Sequence, residues 1–263
     1  MILPKLTIKA RKQIAYDSND HIFPWGTKRD NSQNPRFNSQ LINLFQERSD
    51  QSCIKVLDIG CAGGGFVKSI IDDGHFAVGI EGSDFSKKRS RAEWRTIPRN
   101  LFTCDVTQEF AIRNNGRKIL FDVITCWEVL EHIPPNKLNA VLKNIKNNMV
   151  AGGLLISSIP NWPEIKNGVI LHHIVKPKAW WLNRMTLAGF ICLPKYVNYF
   201  QTQFVRGKWQ TGKNFHIIAT NNKNLMPTLP TKRFSFRGTM RMLGNYWAGS
   251  RSQKFLKFLV MGE

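Results

Sequence analysis

Ile54-Lys55-Val56-Leu57-Asp58-Ile59-Gly60-Cys61-Ala62-Gly63-Gly64-Gly65 is the stretch that decides the fold. Its apolar run ends in an acid and a glycine cluster, which reads as a strand breaking into a tight turn. Phe66, Val67, Ile70 and Ile71 follow at helical spacing, so a helix leaves the turn. Glycines open backbone conformations closed to other residues and let a ligand lie against bare main chain. A ligand is therefore expected at the carboxyl end of this strand. Asp58 narrows its identity. A dinucleotide turn carries glycine at its first, third and sixth places, but here the third is Ala62, and an apolar residue would be usual where Asp58 stands. A nicotinamide site is disfavoured.

Working outward, Phe76-Ala77-Val78-Gly79-Ile80 reads as a second strand, and it ends at Glu81, 21 residues after Gly60. An acid at that spacing puts a carboxylate on a ribose diol, where it accepts two hydroxyl hydrogen bonds at once. Capping the next helix is the competing role for the same acid. Gly82 and Ser83 then let the chain pass beneath the sugar. A third strand, Asn100–Cys104, ends at Asp105-Val106, and a fourth, Phe121–Cys126, runs into Trp127-Glu128-Val129-Leu130-Glu131-His132-Ile133-Pro134. Leu138, Val141, Leu142 and Ile145 mark an amphipathic helix. Ala151-Gly152-Gly153 gives a turn before a fifth strand at Leu154–Ser157, and Asn214–Ala219 reads as the seventh.

In order and spacing these stretches resemble the class I S-adenosylmethionine-dependent methyltransferases. Residues 54–65 match their first motif, an acid before a G-x-G-x-G turn that wraps the methionine part of the cofactor, with Ala62 in place of the middle glycine. The Glu128-Val129-Leu130-Glu131-His132-Ile133 run resembles the type 11 and type 23 groups, whose fourth strand ends in a near-identical E-V-L-E-H motif lining both cofactor and acceptor. The resemblance covers residues 54–220. It is looser from Pro160 to Phe190, where Leu171-His172-His173-Ile174 and Trp180 through Phe190 match an acceptor-site insertion and the last helix.

The resemblance implies an α/β fold, a Rossmann-like seven-stranded mostly parallel sheet with helices on both faces. It implies S-adenosyl-L-methionine as cofactor, held by Asp58, Gly60, Cys61, Ala62, Gly63, Gly64, Glu81, Gly82, Asp105, Val106 and Trp127. In such a site Asp105 accepts from the adenine amino group. No metal is expected.

The 263 residues suffice for one such domain, placed at 53–220, with an N-terminal extension over 1–52 and a basic tail over 221–263; 42% hydrophobic content provides its core. In the resembled enzymes the segment before the first motif covers the active site as a lid, so His21, Trp25 and Lys28 are candidates to touch the acceptor. Packing for stability alone is the alternative. Phe37, Leu41, Leu44 and Phe45 give a helix leading into the first strand. The pattern Asp20-His21-x-x-Pro24-x-Gly26-Thr27-Lys28 also resembles a subgroup associated with surface-glycan biosynthesis.

Charge is the compositional anomaly, with 38 basic against 18 acidic residues and a net +20. That balance implies an anionic partner, RNA or a membrane surface, and says nothing about fold. Lys87 through Arg95 is the densest basic run; a solvated helix face is its ordinary reading and a phosphate-binding face the sharper one. Beyond Asn221 come eight basic residues and one acid, and Ser252–Val260 reads as a short basic amphipathic helix. Five cysteines with no C-x-x-C pair suggest neither a disulfide framework nor a zinc knuckle, and a reducing setting is the simpler inference. No transmembrane segment or signal peptide is read, so the expectation is a cytoplasmic protein, with peripheral membrane attachment as its variant.

Methyl transfer from a sulfonium is an in-line displacement whose acceleration comes largely from alignment, worth up to ~7–11 kcal/mol. A hydroxyl acceptor must also lose a proton. His132, His172 and His173 are the candidate bases, followed by Glu128 and His21. The leading reading is O-methylation of a small molecule or glycan; the alternatives are an RNA methyltransferase and a basic cofactor-binding scaffold without catalysis. The N-P-P-Y/F tetrad associated with methylation of nucleobase or amide nitrogen does not follow the fourth strand.

Overall fold

A computed structural model describes residues 5–46, 53–201, 203–207 and 214–230. In chain order its elements are β1 (Leu6–Ala10), α1 (Asn19–Ile22), α2 (Pro35–Gln46), β2 (Lys55–Ile59), α3 (Gly65–Asp72), β3 (Phe76–Glu81), α4 (Phe85–Lys88) and β4 (Leu101–Thr103). There follow β5 (Phe110–Asn114), β6 (Arg117–Lys118), β7 (Phe121–Trp127), α5 (Leu138–Asn147), β8 (Met149–Pro160), β9 (Ile165–Lys166) and β10 (Val169–Ile170). The last are α6 (Lys178–Leu187), β11 (Ile191–Cys192), α7 (Pro194–Phe200) and β12 (Asn214–Thr220). A seven-stranded sheet in the order β11-β12-β8-β7-β2-β3-β4 organises them. β4, β3, β2, β7 and β8 are mutually parallel, and β12 is antiparallel to both its neighbours. The expected doubly covered, mostly parallel sheet is the observed one.

Central strands of such a sheet are buried on both faces, which is why they read as continuous apolar runs. Leu57, Ile59, Val78, Ile80, Ile124 and Leu155 pack with α5, with Trp181 and Met185 of α6, and with β5. Val56, Ala77, Val123 and Ile156 pack on the other face with α2, α3 and α7. α2 is buried nearly all round, and the side-chain amide nitrogens of Asn38, Gln40 and Asn43 all find acceptors among its neighbours. Asn38 donates to Ser69 Oγ and Asp73 Oδ2, Gln40 to the Tyr199 carbonyl, and Asn43 to the Tyr199 hydroxyl, which itself donates to the Gln40 carbonyl at 3.0 Å.

The structure differs from the sequence reading in four places. Residues 6–10 form β1, which pairs antiparallel with β5 in a separate three-stranded sheet over one face. The expected turn at Ala151-Gly152-Gly153 lies inside β8: Gly152 has φ +76°, and the pairing with β7 slips between Phe121↔Met149 and Val123↔Leu154. Lys87–Arg95 is no single helical face. It divides into the end of α4, a turn and a short 3-10 turn at 92–94, with Arg91 donating from both terminal nitrogens to the Asp30 carbonyl and Trp94 buried. α7 was not anticipated. The amphipathic helix expected at 252–260 lies outside the described residues, and among those residues no helix is long and apolar enough to cross a membrane.

Candidate active site

A cavity of about 210 Å³ opens over the carboxyl ends of β2, β3, β4 and β7. Its floor is set by how each strand ends. At β2 the chain turns at Gly60 (φ +74°), where a side chain would collide with Val129, and again at Ala62, which holds φ +46° without being glycine. Gly60, Ala62, Glu81, Gly82, Asp105, Val106 and Trp127 line the cavity. Asp58, Cys61, Gly63 and Gly64 do not. Asp58 is buried behind the wall, accepting from Thr125 Oγ1 at 2.6 Å, and burial raises its pKa to about 8 against that bond. Cys61 packs on Gly79, while the open side of Gly63 is filled by Asn31 and Asp30, whose carbonyl accepts from Gly63 N. Gly64 is the left-handed residue that starts α3, set against Leu101 and Glu93.

Of the three acids assigned to the cofactor, Glu81 and Asp105 line the cavity, at the ends of the neighbouring strands β3 and β4. Glu81 Oε2 accepts from Ala62 N at 2.8 Å and Oε1 from Ser83 N at 3.3 Å; burial raises its pKa, and these amides oppose the rise. The acid thus ties the glycine turn to the end of β3. Asp105 Oδ1 accepts from the amide and hydroxyl of Thr107, at 3.0 and 2.6 Å, and Oδ2 lies 3.7 Å from Lys12 Nζ. Trp127 is set edge-on to Phe37 and Phe66, with centroids 5.1 and 5.8 Å away, which fixes its ring at the end of β7.

The N-terminal stretch contributes a second wall. Ala15, Asp17, Ser18, Asn19, Asp20, Gly26, Thr27 and Asp30 line the cavity, and Ala15 N donates to the Gly82 carbonyl. His21, Trp25 and Lys28, the residues expected to touch the acceptor, do not line it. Trp25 is instead covered by the Arg29 guanidinium at 3.2 Å and stacked on Phe23. The sequence pattern around 20–28 pointed to this segment, but not to which of its side chains turn inward.

On the β7 side the cavity meets Glu128, His132 and His173. Glu128 holds φ +55°, with its amide directed at Ser158 and its carboxylate 2.5 Å from Arg206; Arg206 also pairs with Asp30 at 2.9 Å. This ion-paired Glu128 is poorly placed to act as a base. His132 Nδ1 lies 2.9 Å from Asp20 Oδ2; burial alone would lower its pKa, but Asp20, Glu131 and Glu164 raise it to about 9. It therefore holds its proton at neutral pH.

His172 is buried and does not line the cavity; its Nδ1 bonds the Trp162 carbonyl and burial lowers its pKa. His173 lines the cavity, has its pKa lowered by burial, and lies 3.3 Å through Nε2 from Asn19 Nδ2. Of the three histidines, only His173 combines a cavity position with a neutral ring. Arg206 and Asp30 had no local signal in the sequence, because their value comes from the bridge Arg206 makes between Asp30 and Glu128, each far away in the chain.

Known proteins agree with this fold. The methyltransferase-domain model Methyltransf_23 matches residues 31–203. The chain is 35% identical over 116 residues to the ubiquinone biosynthesis O-methyltransferase of Pasteurella multocida, covering 40% of this chain and 47% of that one. It is 28% identical over 124 residues to the mitochondrial enzyme of the same name from Schizosaccharomyces pombe, covering 45% and 43%. The matches thus span less than half the length of these relatives. In fold it resembles an S-adenosylmethionine-dependent methyltransferase from Clostridium acetobutylicum, with a TM-score of 0.51 at 13% identity, covering 79% of this chain and 99% of that one. The match of the methyltransferase-domain model over residues 31–203, together with the strand order, makes the chain a member of the class I S-adenosylmethionine-dependent methyltransferases, in the type 11 and type 23 group.

Proposed function

We propose that the chain transfers a methyl group from S-adenosylmethionine to a hydroxyl oxygen of a small molecule or glycan bound beside Glu128, His132 and His173. The observation that carries this reading is the pairing of two unlike imidazoles on one wall. His132 keeps its proton through Asp20, and His173 stays neutral, so one ring donates to the acceptor oxygen while the other takes its proton. Relatives named O-methyltransferases support the choice of oxygen.

In this reading Glu81 receives the ribose diol, Asp105 the adenine amino group, and the turn at Gly60 and Ala62 the methionine end. Residues 13–30 act as a lid, and the Asp30–Arg206–Glu128 bridge fastens that lid to the end of β7. S-adenosylmethionine would supply an electrophilic methyl group whose sulfur keeps the electron pair of the broken S–CH₃ bond, and His173 would take the proton of the hydroxyl that forms the new O–CH₃ bond.

The test is transfer of labelled methyl groups into separate phenol, sugar, glycan and RNA pools, followed by identification of the methylated atom. A methyl ether on a small molecule or glycan is expected, and His173→Ala should lower turnover by about 10²-fold with little change in cofactor affinity. Label found on nitrogen, or only in RNA, would overturn the reading.

A further inference from the structure

We propose that Arg206 holds the carboxylate of the cofactor's methionine end, as a binding residue supplied by the segment between α7 and β12 rather than by a strand end. This placing rests on the reading that puts the methionine end at the turn of Gly60 and Ala62; it does not depend on the acceptor. A carboxylate brought into a cavity needs donors to replace the water it loses. The turn itself has none to spare. Gly60 N and Cys61 N both donate to the Ile80 carbonyl, at 2.8 and 3.1 Å, Ala62 N to Glu81 Oε2 at 2.8 Å, Gly63 N to the Asp30 carbonyl at 3.1 Å and Gly64 N to the Cys61 carbonyl at 2.7 Å.

The start of α3, where an anion would ordinarily find free amides, is covered as well. A side chain on Gly65 would meet the Asn31 carbonyl oxygen at 2.4 Å, and none of Gly63, Gly64 and Gly65 lines the cavity. A side chain must therefore supply the donors. Among the described residues that line the cavity, Arg206 is the only arginine and Lys137 the only lysine. Lys137 belongs to the other end: its charge acts on Asp17, which is paired with Lys12 beside Asp105, the acid given to the adenine. Arg206 belongs to the turn, because Asp30, its partner at 2.9 Å, is the residue whose carbonyl accepts from Gly63 N.

Its surroundings suit the task. The Arg206 carbonyl accepts from His216 Nε2 of β12 at 2.9 Å, and Asp30 and Glu128 each take one N–H of the guanidinium, so the fork is ordered before a ligand arrives. Two of its five N–H groups are so taken and three remain, in a planar array that matches the two oxygens of a carboxylate. The two acids leave this trio one negative charge in excess, which favours a carboxylate that arrives beside an α-ammonium and a sulfonium over a free one. Arg206 lies just beyond residues 31–203, the stretch matched by the methyltransferase-domain model.

The experiment is calorimetric titration of the full chain and its variants with S-adenosylmethionine and with decarboxylated S-adenosylmethionine, which lacks only that carboxylate. Arg206→Met should bind S-adenosylmethionine about 10–100-fold more weakly, and should hold the decarboxylated compound at least as tightly as the unsubstituted chain does. Arg206→Lys keeps the charge but not the fork; it should show part of the same selective loss, and it decides the matter if Arg206→Met does not fold. Lys137→Met should change neither affinity. Equal losses for both ligands in the Arg206 variants would make Arg206 a fastening of the lid and nothing more, and would overturn the assignment. Unchanged S-adenosylmethionine affinity in those variants, or a carboxylate-selective loss in Lys137→Met, would overturn it too. Glu81→Gln checks the placing of the cofactor separately, since a lost ribose contact weakens both ligands alike; both affinities unchanged there would overturn that placing, whatever the Arg206 variants do.

Discussion

Gly60 and Ala62 lie two residues apart in one turn and both hold positive φ, but substitution should disrupt the first and leave the second nearly neutral. A methyl group on Gly60 collides with Val129, so Gly60→Ala should distort the cavity floor and destabilise the fold by at least about 1–3 kcal/mol, with loss of cofactor binding. Ala62→Gly removes left-handed strain of about 1 kcal/mol and restores a similar amount of unfolded-chain entropy. Its melting temperature should stay close to that of the unsubstituted chain. Thermal denaturation and calorimetric titration with S-adenosylmethionine check both. Glu81→Gln separates a binding acid from a structural one. The amide oxygen can still accept from Ala62 or Ser83, so the fold should survive, whereas cofactor affinity should fall about 10-fold or more if both ribose hydroxyls donate to the carboxylate.

At the level of elements, α2 shows how a helix with four buried polar side chains, Asn38, Ser39, Gln40 and Asn43, is held in a core. Tyr199 of α7 is the shared partner, donating to the Gln40 carbonyl and accepting from Asn43. Tyr199→Phe leaves these groups short of a partner in a dry space, so chemical denaturation should show a loss of about 1–3 kcal/mol with an unchanged slope.

The same helix marks what the sequence can tell. Its apolar spacing was legible, as were β2, β3, β4, β7 and the acids ending two of them, because local pattern and local turn chemistry specify them. β1 was legible in principle, since Leu6, Ile8 and Ala10 alternate with Thr7 and Lys9, but five residues carry little signal without the β5 partner that makes them a strand. Asp20, Asp30 and Arg206 were beyond reach for another reason: Asp20 acts on His132, and Arg206 joins Asp30 to Glu128, all across more than 75 residues, and no local pattern encodes a long-range ion pair. The histidines were found by residue type and place, whereas their difference in proton affinity comes from burial and from Asp20.

For the molecule as a whole, two buried titratable groups shifted to opposite sides of neutrality should set opposing pH slopes of stability. His216 of β12 is stacked on Phe204 with centroids 3.7 Å apart and donates from Nε2 to the Arg206 carbonyl at 2.9 Å. Burial, helped by the charge of Lys178, lowers its pKa to about 4 against that hydrogen bond. A base depressed from about 6.5 contributes stability that is complete above pH ~6.5 and is lost as pH falls toward 4, because the unfolded chain takes up the proton first.

Asp58 acts in the other direction. Its pKa is raised to about 8 by burial and by the charges of Asp30 and Glu81, against the Thr125 hydrogen bond. The folded state then holds a proton that the unfolded chain releases near pH 4, so stability falls as pH rises from about 4 through 8. The two slopes oppose each other from about pH 4 to 6.5, so melting temperature should stay nearly level there and fall as pH rises from about 6.5 through 8. His216→Phe should remove the acid-side loss, on the order of 3 kcal/mol by pH 4, so that stability climbs as pH falls, and Asp58→Asn should remove the alkaline fall while keeping a partner for Thr125. Unchanged profiles in these two variants would mean that both groups titrate in the folded chain as they do in the unfolded one, which their burial at the back of the cavity wall and beneath Phe204 argues against.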